Sequence, residues 1–391
     1  MLRLEADRLI DGLEDQPHRP GCLGIDGERI AAWGEAGPGD LTLSLPGCTL
    51  LPGLIDFHSH VGLDTRRGGL GAQAAASPER YLAAGIGRLQ DDLRAGVTTV
   101  RLCGDRYGAD LALRREVEEG RVLAPRLLAA GRAMRSPRCH GGAIASVFTD
   151  DPAEIGRTTT QNLKDGADFI KLFVSDGVGD PTVEPTACYY GEAHVAAATR
   201  VAHAAGRPVA AHLVGGEGVA AAIGGGLDVI EHGWFLTDAD LDLAARRNVL
   251  LTLTLGVLCG PRGHAFGEDP AQLARLRRLG EAACDTARKV IARRLRYVLG
   301  TDAVHGCLAD ELRWAVTLGE SPLRAILAAT AWPAAALGLG NQVGTLEPNK
   351  VADIIAVDGD PLEDIEAMTR IRLVVSRGRV VYAAGAMEES G

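Results

Sequence analysis

The sequence predicts an α/β protein: a (β/α)8 TIM barrel with a small β-sandwich domain formed by both chain termini. Three observations carry that expectation. Eight short apolar runs recur between residues 54 and 302. Longer helix-like stretches separate them. Further β-like pieces lie only at the two ends of the chain.

The apolar runs are, in order, LIDFHSH (54–60), TTVRLCG (98–104), PRLLAAG (125–131), ADFIKLF (167–173), RPVAAHLV (207–214), LDVIEHG (227–233), VLLTLTL (249–255) and RYVLGTD (296–302). Between them stand SPERYLAAGIGRLQDDLRAG, DPAEIGRTTTQNLKDG and GEAHVAAATRVAHAAG. Each opens on a capping residue, Pro or Gly and closes on Gly, as helices do. Eight strand–helix repeats of this kind are the pattern of a (β/α)8 barrel. The terminal pieces RIAAWG, LTLSLPG, VADIIAVDG and RLVVSRGRVVYAAG cannot extend a closed barrel. Residues 1–53 and 341–391 are therefore expected to pack together as one composite domain, with the barrel over 54–340.

Bulk composition agrees and narrows the class. The chain has 391 residues, 46% of them hydrophobic and 24% charged. Aromatics are only 4%, so the core must be Leu, Val, Ala and Ile, which suits helices on a parallel sheet. Lys and Arg number 41 and Asp and Glu 51, a net charge of −10 with no basic run, which argues against a nucleic-acid partner. No long apolar window predicts a membrane span. The opening MLRLEADRLIDGLED lacks the layout of a signal peptide. Eight scattered Cys without a CxxC pair read as reduced thiols, most of them small core residues, of a cytoplasmic enzyme. A homo-oligomer is left open.

In such barrels the active site lies at the C-terminal ends of the strands. His58 and His60 stand two apart on the first run, so they share one face and could aim at one point. Two imidazoles there make half of a metal site. The fourth run supplies Lys171, the fifth His212, the sixth His232 and the eighth Asp302. Singly, each has an ordinary reading: an ion pair for Lys171, a core position for His212 or His232, a helix cap for Asp302. Together, at comparable depth on five strands, they point to a metal centre. Lys171 lies within apolar ADFIKLF, where an unpaired ammonium is costly. A neutral amine there can add carbon dioxide and become a carbamate, whose two oxygens can bridge two cations.

This constellation resembles the amidohydrolase superfamily, in its binuclear form with a carboxylated lysine. The resemblance spans nearly the whole chain, from TLLPGLIDFHSH to GTLEPNKVADIIAVDGDPLEDI. GADFIKLFVSDGV, VAAHLVGGEGVAAAI and DVIEHG are most similar to the imidazolonepropionase-related branch, which includes prolidase-like (Xaa-Pro or Xaa-Arg) dipeptidases. The resemblance implies that His58, His60 and Asp302 hold one divalent ion, that His212 and His232 hold a second, and that N6-carboxylysine at Lys171 bridges them. Zinc suits such a nitrogen and oxygen set; manganese and iron remain open. It further implies cleavage of a C–N amide bond, peptide-like or cyclic, in a small-molecule substrate. A metal-bridging hydroxide would attack, with Asp302 as general acid and base.

His140, in SPRCHGG, is a candidate catalytic and substrate-binding residue, because the branch often carries Gly-Gly-His there; here the glycines follow the histidine. Tyr190, with Tyr189 beside it, and His305 are candidate substrate contacts on the loops after the fourth and eighth strands. Arg66, Arg67 and Arg138 could meet a substrate carboxylate or be ordinary surface residues. His194 and His203 read as structural, and His18 and His264 have no supporting context. Members of the branch often have Tyr soon after the fifth-strand histidine. This chain has His212-Leu213-Val214-Gly215, which leaves a nonstandard amide open. The alternative activity is hydrolytic deamination of a heterocycle or guanidine-like group, for which Glu217, five residues after His212 and beyond two glycines, would be the shuttle. A catalytically inactive binding protein is a remote alternative, since it predicts lost ligands and none is lost.

Overall fold

The structure is a computed structural model that describes residues 1–33, 41–67, 69–260 and 270–385. The chain divides into two compact units. One comprises Met1–Asp56, Gln90–Thr99 and Gly306–Gly391, the other Phe57–Leu89 and Val100–His305.

The first unit is built on strands from both termini. Strands β1 (Leu2–Leu9), β2 (Gly21–Asp26), β3 (Arg29–Trp33) and β4 (Leu41–Pro52) come from the N-terminal segment. Ten strands later in the chain, β5–β14, are described below. Then β15 (Ile354–Asp358), β16 (Ile371–Ser376) and β17 (Arg379–Ala383) complete a sheet ordered β17-β16-β15-β4-β1-β2-β3. Burial alternates along β2, as expected of a sheet packed on one face. Leu4, Leu23, Leu50, Ile354 and Leu373 meet in one apolar cluster. The N-terminal and C-terminal strands thus join directly, through the antiparallel β4–β15 pair.

All eight apolar runs of the sequence form strands. They are β5 (Leu54–Ser59), β6 (Val97–Leu102), β7 (Arg126–Ala129), β10 (Ile170–Phe173), β11 (Val209–Gly215), β12 (Val229–Phe235), β13 (Leu250–Leu253) and β14 (Tyr297–Leu299). Two short additions, β8 (Met134–Arg135) and β9 (Val147–Phe148), lie in the loop after β7. The strands fall into a sheet β14-β13-β12-β11-β10-β8-β9 and a three-stranded sheet β5-β6-β7. The pairs from β10 to β14 are all parallel. Every residue of β10, β11, β13 and β14 is buried, as both faces of a parallel sheet should be.

Helices follow the strands where the punctuation predicts them. Asp151 caps Pro152–Lys164, its side chain accepting from the Ala153 N–H, with proline in the first turn. Thr237 and Asp240 form a reciprocal capping box on Asp238–Arg246. Gly96, Gly166 and Gly206 end three helices with positive φ, the left-handed turn that favours glycine. Among the described residues, no helix is long and apolar enough to cross a membrane. None of the eight cysteines forms a disulfide.

Candidate metal centre

The carboxyl ends of β5, β10, β11, β12 and β14 bring the proposed ligands to one cavity of about 260 Å³. His58, His60, Lys171, His212, His232, Asp302 and His140 all line it. On β5 the alternation works as expected: Nε2 of His58 and Nε2 of His60 lie 3.3 Å apart. Asp302 Oδ1 is 3.4 Å from His58 Nε2 and 3.7 Å from His60 Nε2. These three residues can offer ligand atoms to a common point. The His232 ring centroid lies 4.7 Å from that of His58 and 4.5 Å from that of His212.

Each imidazole has one nitrogen tied back, which leaves the other for the cavity. His58 Nδ1 is 2.7 Å from Glu231 Oε2, and His60 Nδ1 is 2.8 Å from the Gly104 carbonyl. His232 Nδ1 is 2.7 Å from Thr254 Oγ1, and His212 Nε2 is 2.9 Å from the Asp176 carbonyl. Such partners fix ring orientation in metal sites. Burial, reinforced by neighbouring imidazoles and Lys171, pushes His60, His212 and His232 well below the usual histidine range. They are neutral at pH 7, the form that binds a metal.

Lys171 is fully buried, and its Nζ has no hydrogen-bond partner among the described residues. An isolated buried ammonium is costly. Four oriented imidazoles, a carboxylate and a buried amine around one cavity are donors that fit divalent cations.

Two backbone features make this geometry. His232 has φ of 75° and Gly233 of 58°, so strand alternation breaks there. Glu231 can then reach His58 while His232 faces the cavity. Asp302 and Ala303 are also left-handed, at 49° and 67°. Non-glycine residues rarely adopt such angles, and they gather at functional sites.

Sequence reasoning missed the support behind the ligands. Arg101 on β6 donates to Glu231 Oε1 at 2.7 Å and to the Phe57 carbonyl at 3.0 Å. Its guanidinium lies 3.7 Å from the Phe169 ring centroid. Burial alone would raise the Glu231 carboxyl, but Arg101 and His58 hold it well below the usual carboxylate range. The signal was Glu231 directly before His232, but strict alternation sends neighbours to opposite faces.

Two candidate substrate contacts lie elsewhere. Tyr190 is buried outside the cavity lining; its hydroxyl donates to the Thr149 carbonyl at 2.7 Å and its ring stacks on His194. His305 is also absent from the lining and fully buried, with Nε2 3.0 Å from the His60 carbonyl and 3.1 Å from that of Leu63. It props the loop after β5. His140 stays at the cavity, with Nδ1 3.5 Å from Asp176 Oδ1. The Tyr189 hydroxyl donates to Asp176 Oδ2 at 3.0 Å. His18 pairs with Asp11, His194 lies against the Asp150 carbonyl and His203 pairs with Asp228. His264 lies outside the described residues.

The sequence profile of the amidohydrolase family matches residues 49–381. The chain belongs to the amidohydrolase family. It is a metal-dependent hydrolase of amide bonds. It is 28% identical over 363 residues to the ochratoxinase of Aspergillus niger, covering 83% of this chain and 73% of that protein. It is 28% identical over 366 residues to the imidazolonepropionase of Streptomyces coelicolor, covering 87% and 86%. Among solved structures, a Xaa-Pro dipeptidase with methionine bound in its active site superposes with a TM-score of 0.88. The sequences are 28% identical, over 98% of this chain and 100% of that one.

Proposed function

We propose that this amidohydrolase is a binuclear enzyme for small amide substrates. Its proposed ligands are His58, His60, Lys171 as N6-carboxylysine, His212, His232 and Asp302. The observation that carries the reading is Lys171, a fully buried amine without a hydrogen-bond partner among the described residues, lining the same cavity as the imidazoles. Addition of carbon dioxide to an unprotonated amine forms an N–C bond and releases one proton. That gives a carboxylate where the imidazoles leave anionic charge lacking. Zinc suits this donor set best.

The barrel reading has support at both gaps between the sheets. The Asp302 N–H donates to the His58 carbonyl at 2.8 Å, and the Asp168 N–H to the Ala129 carbonyl at 2.8 Å. In this reading residues 54–340 are the hydrolase barrel, and 1–53 with 341–391 the composite β domain, in a cytoplasmic protein.

Bound divalent cations would supply Lewis acidity, acidifying water and polarising the amide carbonyl. Asp302 keeps a partly exposed carboxylate beside His58 and His60. It accepts the proton of the attacking water and returns it to the leaving nitrogen. His140, 3.5 Å from Asp176 and packed against the His212 ring at 4.3 Å between centroids, is assigned to the substrate. Glu217, which deamination would need as a shuttle, is exposed and outside the cavity lining, so amide hydrolysis is favoured.

Metal content with and without bicarbonate, for the native chain and Lys171→Ala, tests this reading. About two metals per chain, lost in the variant, is the expected result. One metal, indifferent to the variant, would overturn the binuclear centre.

A further inference from the structure

A dipeptide carries a carboxylate one carbon from the scissile nitrogen, so an enzyme built for it gains from a cationic side chain beside the metal centre. Among the described residues, Arg66, Arg67 and Arg138, the arginines that could serve, are engaged elsewhere. Arg66 grips Asp64 with Nε at 3.0 Å and Nη2 at 2.8 Å, and Arg67 Nε adds a third bond to the same carboxylate at 2.9 Å. Arg138 pairs with Asp150 at 3.8 Å and lies over the Tyr189 ring. None of them lines the cavity. Arg275, near the loop after β10, donates to the carbonyls of Val178 and Val183 instead. Among the described residues, the only Lys or Arg in the lining is Lys171.

The wall beyond the polar residues is apolar: Leu63, Leu70, Ala74, Ile144, Val178 and Trp234. Trp234 has its indole N–H directed to the Thr254 carbonyl at 3.3 Å, so the rest of the indole offers only carbon to the cavity. On the His140 side stands the buried Asp176 carboxylate, which repels an anion. At about 260 Å³ the cavity falls below the usual range for drug-sized sites, about 300–1,000 Å³.

We propose that this site takes a small, neutral amide with apolar or aryl groups on either side of the bond, and rejects amides bearing a carboxylate beside the nitrogen. The inference rests on the amide-hydrolase reading and departs from the dipeptide chemistry named for the Xaa-Pro dipeptidase. A carboxylate held beyond the proposed metal ligands, against this wall, would lose water without gaining a guanidinium or ammonium partner among the described residues. An aryl group would gain the apolar wall.

The test uses the metal-loaded chain and a matched pair: N-benzylbenzamide, and N-benzoylphenylglycine, which adds only the carboxylate. The neutral member is expected to show kcat/KM higher by about tenfold or more. Ala143→Arg, which adds a guanidinium at the partly exposed rim, should move that ratio toward the acid by about tenfold. Faster cleavage of the acid by the native chain overturns the inference and leaves the hydrolase reading intact. If neither compound is cleaved, equilibrium binding decides. Tighter binding of the neutral member keeps the pocket assignment and counts against hydrolysis alone. Equal or tighter binding of the acid overturns the assignment.

Discussion

Glu231 joins two demands in one side chain. One carboxylate oxygen takes His58 Nδ1 and the other takes Arg101, all three groups being buried. Glu231→Gln would leave the Arg101 charge uncompensated, with a stability cost of roughly 3–5 kcal/mol. It would also loosen His58, lowering metal affinity by about 10- to 100-fold. Chemical denaturation and chelator competition check the two effects separately. Asp302 behaves differently because its side chain is 20% exposed. Its left-handed φ of 49° is one that Asn also tolerates. Asp302→Asn should therefore keep the unfolding midpoint of the metal-free chain and lower kcat of the metal-loaded chain by roughly 10²- to 10⁴-fold, the usual scale of general acid–base catalysis. A metal-free midpoint that drops with kcat would contradict the assigned role.

At the scale of elements, the helix Ala109–Glu118 carries an unusual buried acid. Asp110 accepts from the Leu111 N–H at 2.8 Å and the Gly131 N–H at 2.7 Å. Burial, with the Asp105 carboxylate nearby, pushes its carboxyl up to about 8. The folded chain thus holds this proton more tightly than the unfolded chain, where an Asp titrates near about 3.9. The protonated form's contribution is complete below about pH 4 and is lost as pH rises toward 8. Asp110→Asn, which has no such proton to lose, should gain on the native chain between pH 5 and pH 8. Urea midpoints at the two pH values measure this. An unchanged difference would mean that Asp110 titrates alike in both states. A close approach also matters here: a Cβ on Gly300, just after β14, would meet the His58 backbone nitrogen and Cβ at 2.7 Å. Only glycine lets β14 and β5 come this near.

For the whole molecule, the residues of the proposed centre all fall within the unit of Phe57–Leu89 and Val100–His305. In the apo state that unit keeps an unpaired buried amine and a ring of imidazoles. Metal that binds only the folded chain stabilises it by about 4 kcal/mol at a thousandfold excess over Kd. Exhaustive chelation should therefore lower Tm by several degrees, and zinc with bicarbonate should restore it. A Tm indifferent to both would argue against a resident metal.

The sequence by itself determined the strands and all six of the proposed ligands. Strand character and the i, i+2 rule are local, so eight apolar runs and the His58–His60 pair could be read directly. Lys171 stood out because an amine within an apolar run needs a reason. Tertiary structure alone decided which neighbours of those ligands reach the cavity. Left-handed backbone at His232 and Asp302 redirects the chain in ways no periodicity encodes, bringing Glu231 inward. His305, three residues after Asp302, is sent behind His60, and Tyr190 turns to Thr149. The pairing of Arg66, Arg67 and Arg138 was likewise invisible, since a guanidinium's partner depends on folded distances rather than on spacing along the chain.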